Sequence, residues 1–206
     1  MREVKTHLEF LLEGESDEVV LEALLPKMLP PEVTYAFHVF QGKKNLLKKL
    51  SERLRGYRAF LSPEGKIVIL CDNDLQDCRK LKEHLRDIVA QAKLSIFSNT
   101  HIDKKGIVII RLAIQELEAW FFGDVEALRQ AYPRLPENLN EKKGYRQPDA
   151  IPSPWIKLEK LLKTAGYHPG GKIEVARRIS PHLDPSRNRS RSFQLFRQTL
   201  MHVCQC

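Results

Sequence analysis

Lys66-Ile67-Val68-Ile69-Leu70-Cys71-Asp72-Asn73-Asp74 is the stretch that decides the fold class. A continuous β-branched run of this kind reads as a strand buried on both faces, the habit of a parallel sheet. It ends on two carboxylates one residue apart. Upstream, His7-Leu8-Glu9-Phe10-Leu11-Leu12 is short and apolar, Glu13-Gly14-Glu15-Ser16-Asp17-Glu18 follows at once, and apolar residues then fall on a helical face over 19–25. That order predicts strand, loop, helix. A second strand is predicted over 33–40, ending at Gln41-Gly42 before a helix over 45–54 that carries Leu46, Leu47, Leu50 and Leu54 inward. Downstream, a helix over 77–92 buries Leu81, Leu85, Ile88 and Val89, and a fourth strand over 107–112 leads into Glu116-Leu117-Glu118-Ala119-Trp120-Phe121. Strands alternate with helices through residue 130. The pattern predicts an α/β fold with a mostly parallel, Rossmann-like sheet flanked by helices and functional loops at the carboxyl ends of its strands.

After Tyr132-Pro133 the character changes, and proline, asparagine and lysine dominate as far as Pro154. Helical patterns return over 156–164, 172–179 and 192–203. The expected division is an α/β domain over 1–132, followed over 133–206 by an extended connection (133–154) and a basic helical region that packs on the sheet domain. No internal repeat is present.

The 206 residues, 42% hydrophobic and 29% charged, suffice for one good-sized domain or a domain with a compact appendage. No apolar run approaches the roughly 20 residues that cross a bilayer, and the opening residues lack the apolar core and cleavage site of a secretory signal. A cytoplasmic protein without membrane contact is expected. Cys71, Cys78, Cys204 and Cys206 lack the spread of a disulfide framework and are expected as reduced thiols. Formal charge is +8, unevenly placed: 1–141 hold 21 basic and 22 acidic residues, 142–206 hold 13 and 4. Such asymmetry suits contact with a polyanion such as nucleic acid, or else a solvated basic surface.

Alternate side chains of a strand share one side, so Asp72 and Asp74 are expected to approach one cation together. Carboxylate oxygens of this type suit Mg2+ or Mn2+. Alternatively, one aspartate caps the next helix and the other is simply exposed. Glu13 favours the first reading: it ends strand one, Gly14 allows a sharp turn, and Ser16 or Asp17 can cap the helix that follows. In a parallel sheet the ends of strands one and three share an edge, so Glu13, Asp72 and Asp74 are expected to converge. Glu15 and Glu18 read as helix N-terminal charges.

Leu11-Leu12-Glu13-Gly14-Glu15-Ser16-Asp17 and Ile69-Leu70-Cys71-Asp72-Asn73-Asp74 resemble the glutamate and D-x-D motifs of the TOPRIM domain, found in topoisomerases, bacterial primases and overcoming-lysogenization-defect nucleases. With Glu116-Leu117-Glu118-Ala119-Trp120-Phe121 and Ser190-Arg191-Ser192-Phe193-Gln194-Leu195-Phe196, nearly the whole chain resembles a small, poorly characterised TOPRIM-like family encoded near ATPases in restriction and phage-defence loci. The resemblance implies metal-dependent phosphodiester chemistry, with Asp72 and Asp74 as magnesium ligands and Glu13 as a ligand or general acid/base. It also implies a partner ATPase. The tyrosine domain of a topoisomerase and the template apparatus of a primase do not fit in 206 residues, so hydrolysis by a nuclease needs least added machinery.

Glu118, which matches the family segment, is the preferred further ligand, although Glu116 and Glu118 read equally as surface charges on a helix whose Leu117, Trp120 and Phe121 are core. Arg187, Arg189 and Arg191, with Lys172, Arg177 and Arg178 before them and Lys43 and Lys44 near strand two, are candidate phosphate contacts; Phe193 and Phe196 read as base contacts or as a buried helix face. His168, His182, Cys204 and Cys206 match no common zinc spacing. Three functions stay open: a Mg2+-dependent nuclease held in check by a partner ATPase; a non-catalytic TOPRIM-like subunit that binds such an ATPase; and a phosphatase of the haloacid dehalogenase type. The last expects a hydroxyl residue where Gln76 stands and a D-x-D strand that opens the domain. DNA versus RNA, metal count and oligomeric state, homodimer included, are left open.

Overall fold

The computed structural model describes residues 6–74, 77–97 and 107–204. Four parallel strands form one sheet in the order β2-β1-β3-β4: β1 His7–Leu12, β2 Thr34–Val39, β3 Gly65–Asp72 and β4 Val108–Ala113. The register sets Leu12 beside Val39 on one side and Leu70 on the other, and Asp72 beside Ala113. The expected α/β class and parallel sheet are thereby observed. Helix α1 Glu15–Met28 returns the chain to β2, α2 Lys43–Phe60 carries it past β1 to β3, and α3 Cys78–Gln91 leads on to β4.

The period-two alternation of the strands divides the core. Leu8, Phe10, Leu12, Val68, Leu70 and Ile109 face one apolar layer with α1 and the later helices; Leu11, Ile67, Ile69, Cys71 and Val108 face a second layer with α2 and α3. Because α1 covers one face and α2 the other, strand order reverses at β1. The crevice of an open α/β sheet opens at such a reversal, above the carboxyl ends of the strands. Here that is between β1 and β3.

Beyond β4 come α4 Ala119–Gly123, α5 Val125–Ala131, α6 Pro154–Thr164, α7 Lys172–Ile179 and α8 Arg191–Cys204. The segment read as an extended connection carries two short 3-10 turns, Leu139–Glu141 and Pro148–Ala150. The later helices share the first apolar layer with the sheet: Trp120 stacks on Phe193 and Phe196 at 5.2 and 5.3 Å, and Phe196 reaches Phe10 of β1 at 6.5 Å. Phe193 and Phe196 are wholly buried, so of their two sequence readings base contact is excluded. Gly123 permits the close approach of the segment before α8, since a Cβ there would stand 2.0 Å from Asn188 Oδ1. No helix among the described residues is long and apolar enough to cross a membrane. Gln76 and Cys206, which entered the phosphatase and zinc readings, lie outside the described residues.

Candidate active site

Glu13 follows the last residue of β1 and Asp72 is the last residue of β3, so the strand-order reversal brings their loops side by side. The Asp72 backbone N–H points at Glu13 Oε2, 3.4 Å away, and Asp72 Oδ1 accepts the Leu117 N–H at 2.8 Å. Asn73, buried in the middle of the motif, accepts the Gln115 N–H at 2.6 Å, while the Asp74 N–H donates to the Gln115 carbonyl at 2.7 Å. Asp74 and Gln115 both adopt left-handed backbone, with φ of 51° and 64°. Strained turns at the ends of β3 and β4 are thus clipped to each other.

Three local expectations are corrected. The strand ends at Asp72, so alternation does not govern Asp74; the left-handed turn redirects its carboxylate to Lys43 Nζ at 2.6 Å. Gly14 lies in extended backbone (φ −142°), which any residue adopts, so no sharp turn demands it. Nor does Ser16 or Asp17 cap α1 as expected. Gly14 is the N-cap, and Asp17, in the first turn, reaches back to accept the Gly14 N–H at 2.9 Å.

Asp17 is the residue the sequence reading missed as a site member. It is buried, and burial together with Glu13 and Glu118 pushes its carboxyl up to about 7. Burial, with Asp17, Glu118 and Glu13 as like-charged neighbours, pushes Asp72 well above the usual carboxylate range. Glu118, 3% exposed, and Glu13 are likewise raised, chiefly by burial. Lys172, at the first turn of α7, supplies compensation, 3.2 Å from Glu118 Oε1 and 3.9 Å from Glu116 Oε1. Burial opposes its charge, but Glu118, Glu116 and Asp72 outweigh that and hold it above the ordinary lysine value. Four carboxylates, Glu13, Asp17, Asp72 and Glu118, therefore act on one another at this edge, with Lys172 and Lys43 as the cations among them.

Of the two glutamates after β4, Glu118 joins the cluster, whereas Glu116 accepts the Trp155 N–H at 2.7 Å at the start of α6. Among the described residues, no three His, Cys, Asp or Glu side chains stand together as a ready metal cage. The donor chemistry nonetheless fits a hard divalent cation: oxygen ligands only, crowded, part-buried and short of positive charge.

The basic residues separate. Lys43 belongs to the carboxylate edge through Asp74, and Lys44 beside it is exposed. Arg187 donates from Nε to buried Asp124 at 2.7 Å and from Nη2 to the His182 carbonyl at 3.0 Å, away from the cluster. Arg178 packs over Tyr132 at 4.6 Å. Arg189 and Arg191 are exposed. On the other face of the sheet, Glu9 accepts from His38 Nε2 at 2.6 Å and from Tyr57 Oη at 3.0 Å, a self-contained network.

The chain is similar in structure to the C-terminal region of the Xanthomonas campestris pv. campestris OLD protein, with a TM-score of 0.51 and 15% identity over 96% of this chain and 94% of that one. The C-terminal region of the Burkholderia pseudomallei OLD protein follows at 0.49 and 14%, over 94% and 98%. At such identity the likeness concerns the fold. No curated protein matches significantly. The family model described as a domain of unknown function, DUF4276, matches residues 12–201, from the end of β1 into the last helix, and so takes in every element of the carboxylate edge. The chain belongs to the DUF4276 family.

Proposed function

We propose that this protein hydrolyses phosphodiester bonds of nucleic acid with Mg2+ or Mn2+ held at the carboxyl edge of its sheet. The observation that carries the reading is the gathering of Glu13, Asp17, Asp72 and Glu118 at the strand-order reversal, each raised in pKa by burial or by the others. Carboxylates so placed repel one another unless protonated or shared by a cation. Asp72, Asp74 and Glu118 would hold the ion once their side chains drew together, since no three described carboxylates yet stand close enough to do so and Asp74 is paired with Lys43, with Glu13 as a further ligand or as the proton-transferring group. The ion supplies charge neutralisation at the phosphoryl group and acidifies water.

The chain's own groups do the rest. Asp17 fixes the Gly14 backbone and so the loop that presents Glu13. The Asn73–Gln115 clip holds Asp72 and Asp74 against the loop that carries Glu118. Lys43 and Lys172 neutralise the edge, and either would be free to meet a phosphate if its carboxylate partner held the ion. The sequence resemblance to TOPRIM proteins supports the same reaction class.

A second reading is favoured by one observation: Lys43 and Lys172 already engage Asp74 and Glu118, as a retired site would. In it the chain is a non-catalytic subunit that binds a partner ATPase. Cleavage of end-labelled single-stranded and duplex DNA and of RNA, with Mg2+, Mn2+ or EDTA, separates the two. Cutting that needs metal and is lost in Glu13→Gln and Asp72→Asn is expected. A wild type that cuts none of these, alone or with a candidate partner ATPase, would leave the subunit reading.

A further inference from the structure

Strand β4 is an outer strand of the sheet, and a groove of about 770 Å3 lies beside it, between the start of α3 and the start of α8. Arg79, Lys82, Arg111 and Arg191 line it, with Leu112, Ile114 and Leu195. Among the described residues none of these four cations is paired with a carboxylate. Arg111 donates instead to the Thr199 hydroxyl and the Ile110 carbonyl, and Arg111 and Arg86 both act on part-buried Lys82 as like charges. One carboxylate also lines the groove: Asp149, which accepts from Ser190 Oγ, from Ser192 Oγ and from the Ser192 N–H, so four cations face a single anion. Cations gathered in a concavity in excess of its carboxylates focus a positive potential that an anion relieves.

The groove also points somewhere. Ile114 directly precedes Gln115, whose carbonyl holds the Asp74 N–H, and Arg79 opens α3 just after the Asp72-Asn73-Asp74 loop. By chain adjacency one end of the groove lies beside the loops that carry the carboxylate edge, although no carboxylate of that edge lines it. Its lining joins cations to apolar side chains, and Leu195 is 46% exposed although large and apolar. A duplex presents phosphates but hides its base faces, whereas a single strand offers both, and grooves for single strands combine positive charge with surfaces for unstacked bases. We propose that this groove binds a single-stranded segment of nucleic acid and leads it to the carboxylate edge. The proposal rests on the nucleic-acid reading of that edge and assigns the path that the substrate takes.

Binding is measured in EDTA, so that no metal chemistry enters, by fluorescence anisotropy with labelled single-stranded DNA and RNA of about 15 nucleotides, near the upper range of single-strand site sizes, and with a matching duplex. The variant is Arg79→Gln/Lys82→Gln/Arg191→Gln. Single strands are expected to bind more tightly than the duplex. The variant is expected to bind about tenfold more weakly or worse, with a plot of log affinity against log salt shallower by about 2, the slope of three lost phosphate contacts. A purely structural role would not flatten that slope. Should the triple variant fold poorly, Arg79→Gln/Arg191→Gln, both at exposed positions, carries the same test with a change of about 1.4. Unchanged affinity and slope would overturn the groove and leave the nucleic-acid reading standing; a wild type that binds no oligonucleotide would overturn both. Equal binding of duplex would overturn the single-strand path, and polyglutamate competing as well as the oligonucleotide would assign the groove to an acidic protein instead.

Discussion

Two aspartates of this molecule, buried Asp124 and part-buried Asp72, have opposite surroundings. Asp124 caps α5 by accepting the Ala127 N–H, accepts the Asp184 N–H at 2.8 Å, and faces the Arg187 guanidinium at 2.7 Å. Its charge is matched and its oxygens are filled from the protein. The carboxyl of Asp72 receives one backbone N–H and is surrounded by Asp17, Glu13 and Glu118, with Lys172 as counterweight. A folded chain completes the first kind of site because an unpaired buried charge is costly. The second kind persists where its carboxyls keep a proton or share a cation. The contrast also reassigns Arg187, a candidate phosphate contact in the sequence, to holding the chain between α7 and α8 against α5.

The largest effect is expected on the matched side. Asp124→Ala uncaps α5 and leaves the Asp184 N–H without its acceptor, while the Arg187 it frees is open to solvent, and should cost about 2–3 kcal/mol in a urea melt; a loss under 1 kcal/mol would erase the distinction between the two sites. Asp72→Asn should leave the melt intact while lowering metal-dependent cleavage by about a hundredfold or more, and a stability loss like that of Asp124→Ala would make Asp72 structural too.

The pH response has a definite sign. Asp17 has a folded pKa of about 7, against an ordinary aspartate value of 3.8, so the folded state binds its proton more tightly than the unfolded state. Its contribution to stability is complete below the ordinary value and is lost as pH rises through about 7. Metal-free protein should therefore lose melting temperature across that window. Asp17→Asn keeps an acceptor for the Gly14 N–H and removes the charge, so at pH 8 it should stabilise by about 1–2 kcal/mol, a few degrees, with little gain at pH 4. Thermal melts in EDTA at the two pH values check this, and equal shifts at both would show that the charge is not the cause. The smallest effect concerns Lys43→Met, which frees Asp74 and should tighten Mn2+ binding a few-fold, on the order of 0.5–1 kcal/mol; weaker binding would mean that Lys43 helps to build the site.

Local pattern made the frame legible. The apolar runs fixed β1 over His7–Leu12 and placed β3 and β4 within a residue of their ends. Glu13 and Asp72 could be read as neighbours because parallel topology follows from alternating strands and helices. The parts that escaped depend on contacts without a period. Asp17 resembles any acid in a first helical turn until its burial is known, and Lys172 stands 54 residues after the Glu118 it neutralises. Asn73 offered a faint signal, since asparagine at a turn commonly hydrogen-bonds nearby backbone, but its partner lies in the β4 loop 42 residues on. Asp74 was placed by strand alternation one residue beyond where the strand stops, and only the positive φ shows why its carboxylate turns to Lys43.

The most direct test of the incomplete site is calorimetric titration of Mn2+ and Mg2+ into metal-free protein at pH 8, with Asp72→Asn and the unrelated surface variant Glu137→Gln alongside. Saturable binding by wild type and Glu137→Gln that raises their melting temperature and disappears in Asp72→Asn is the predicted result. No heat of binding in wild type, or equal binding in Asp72→Asn, would contradict the account.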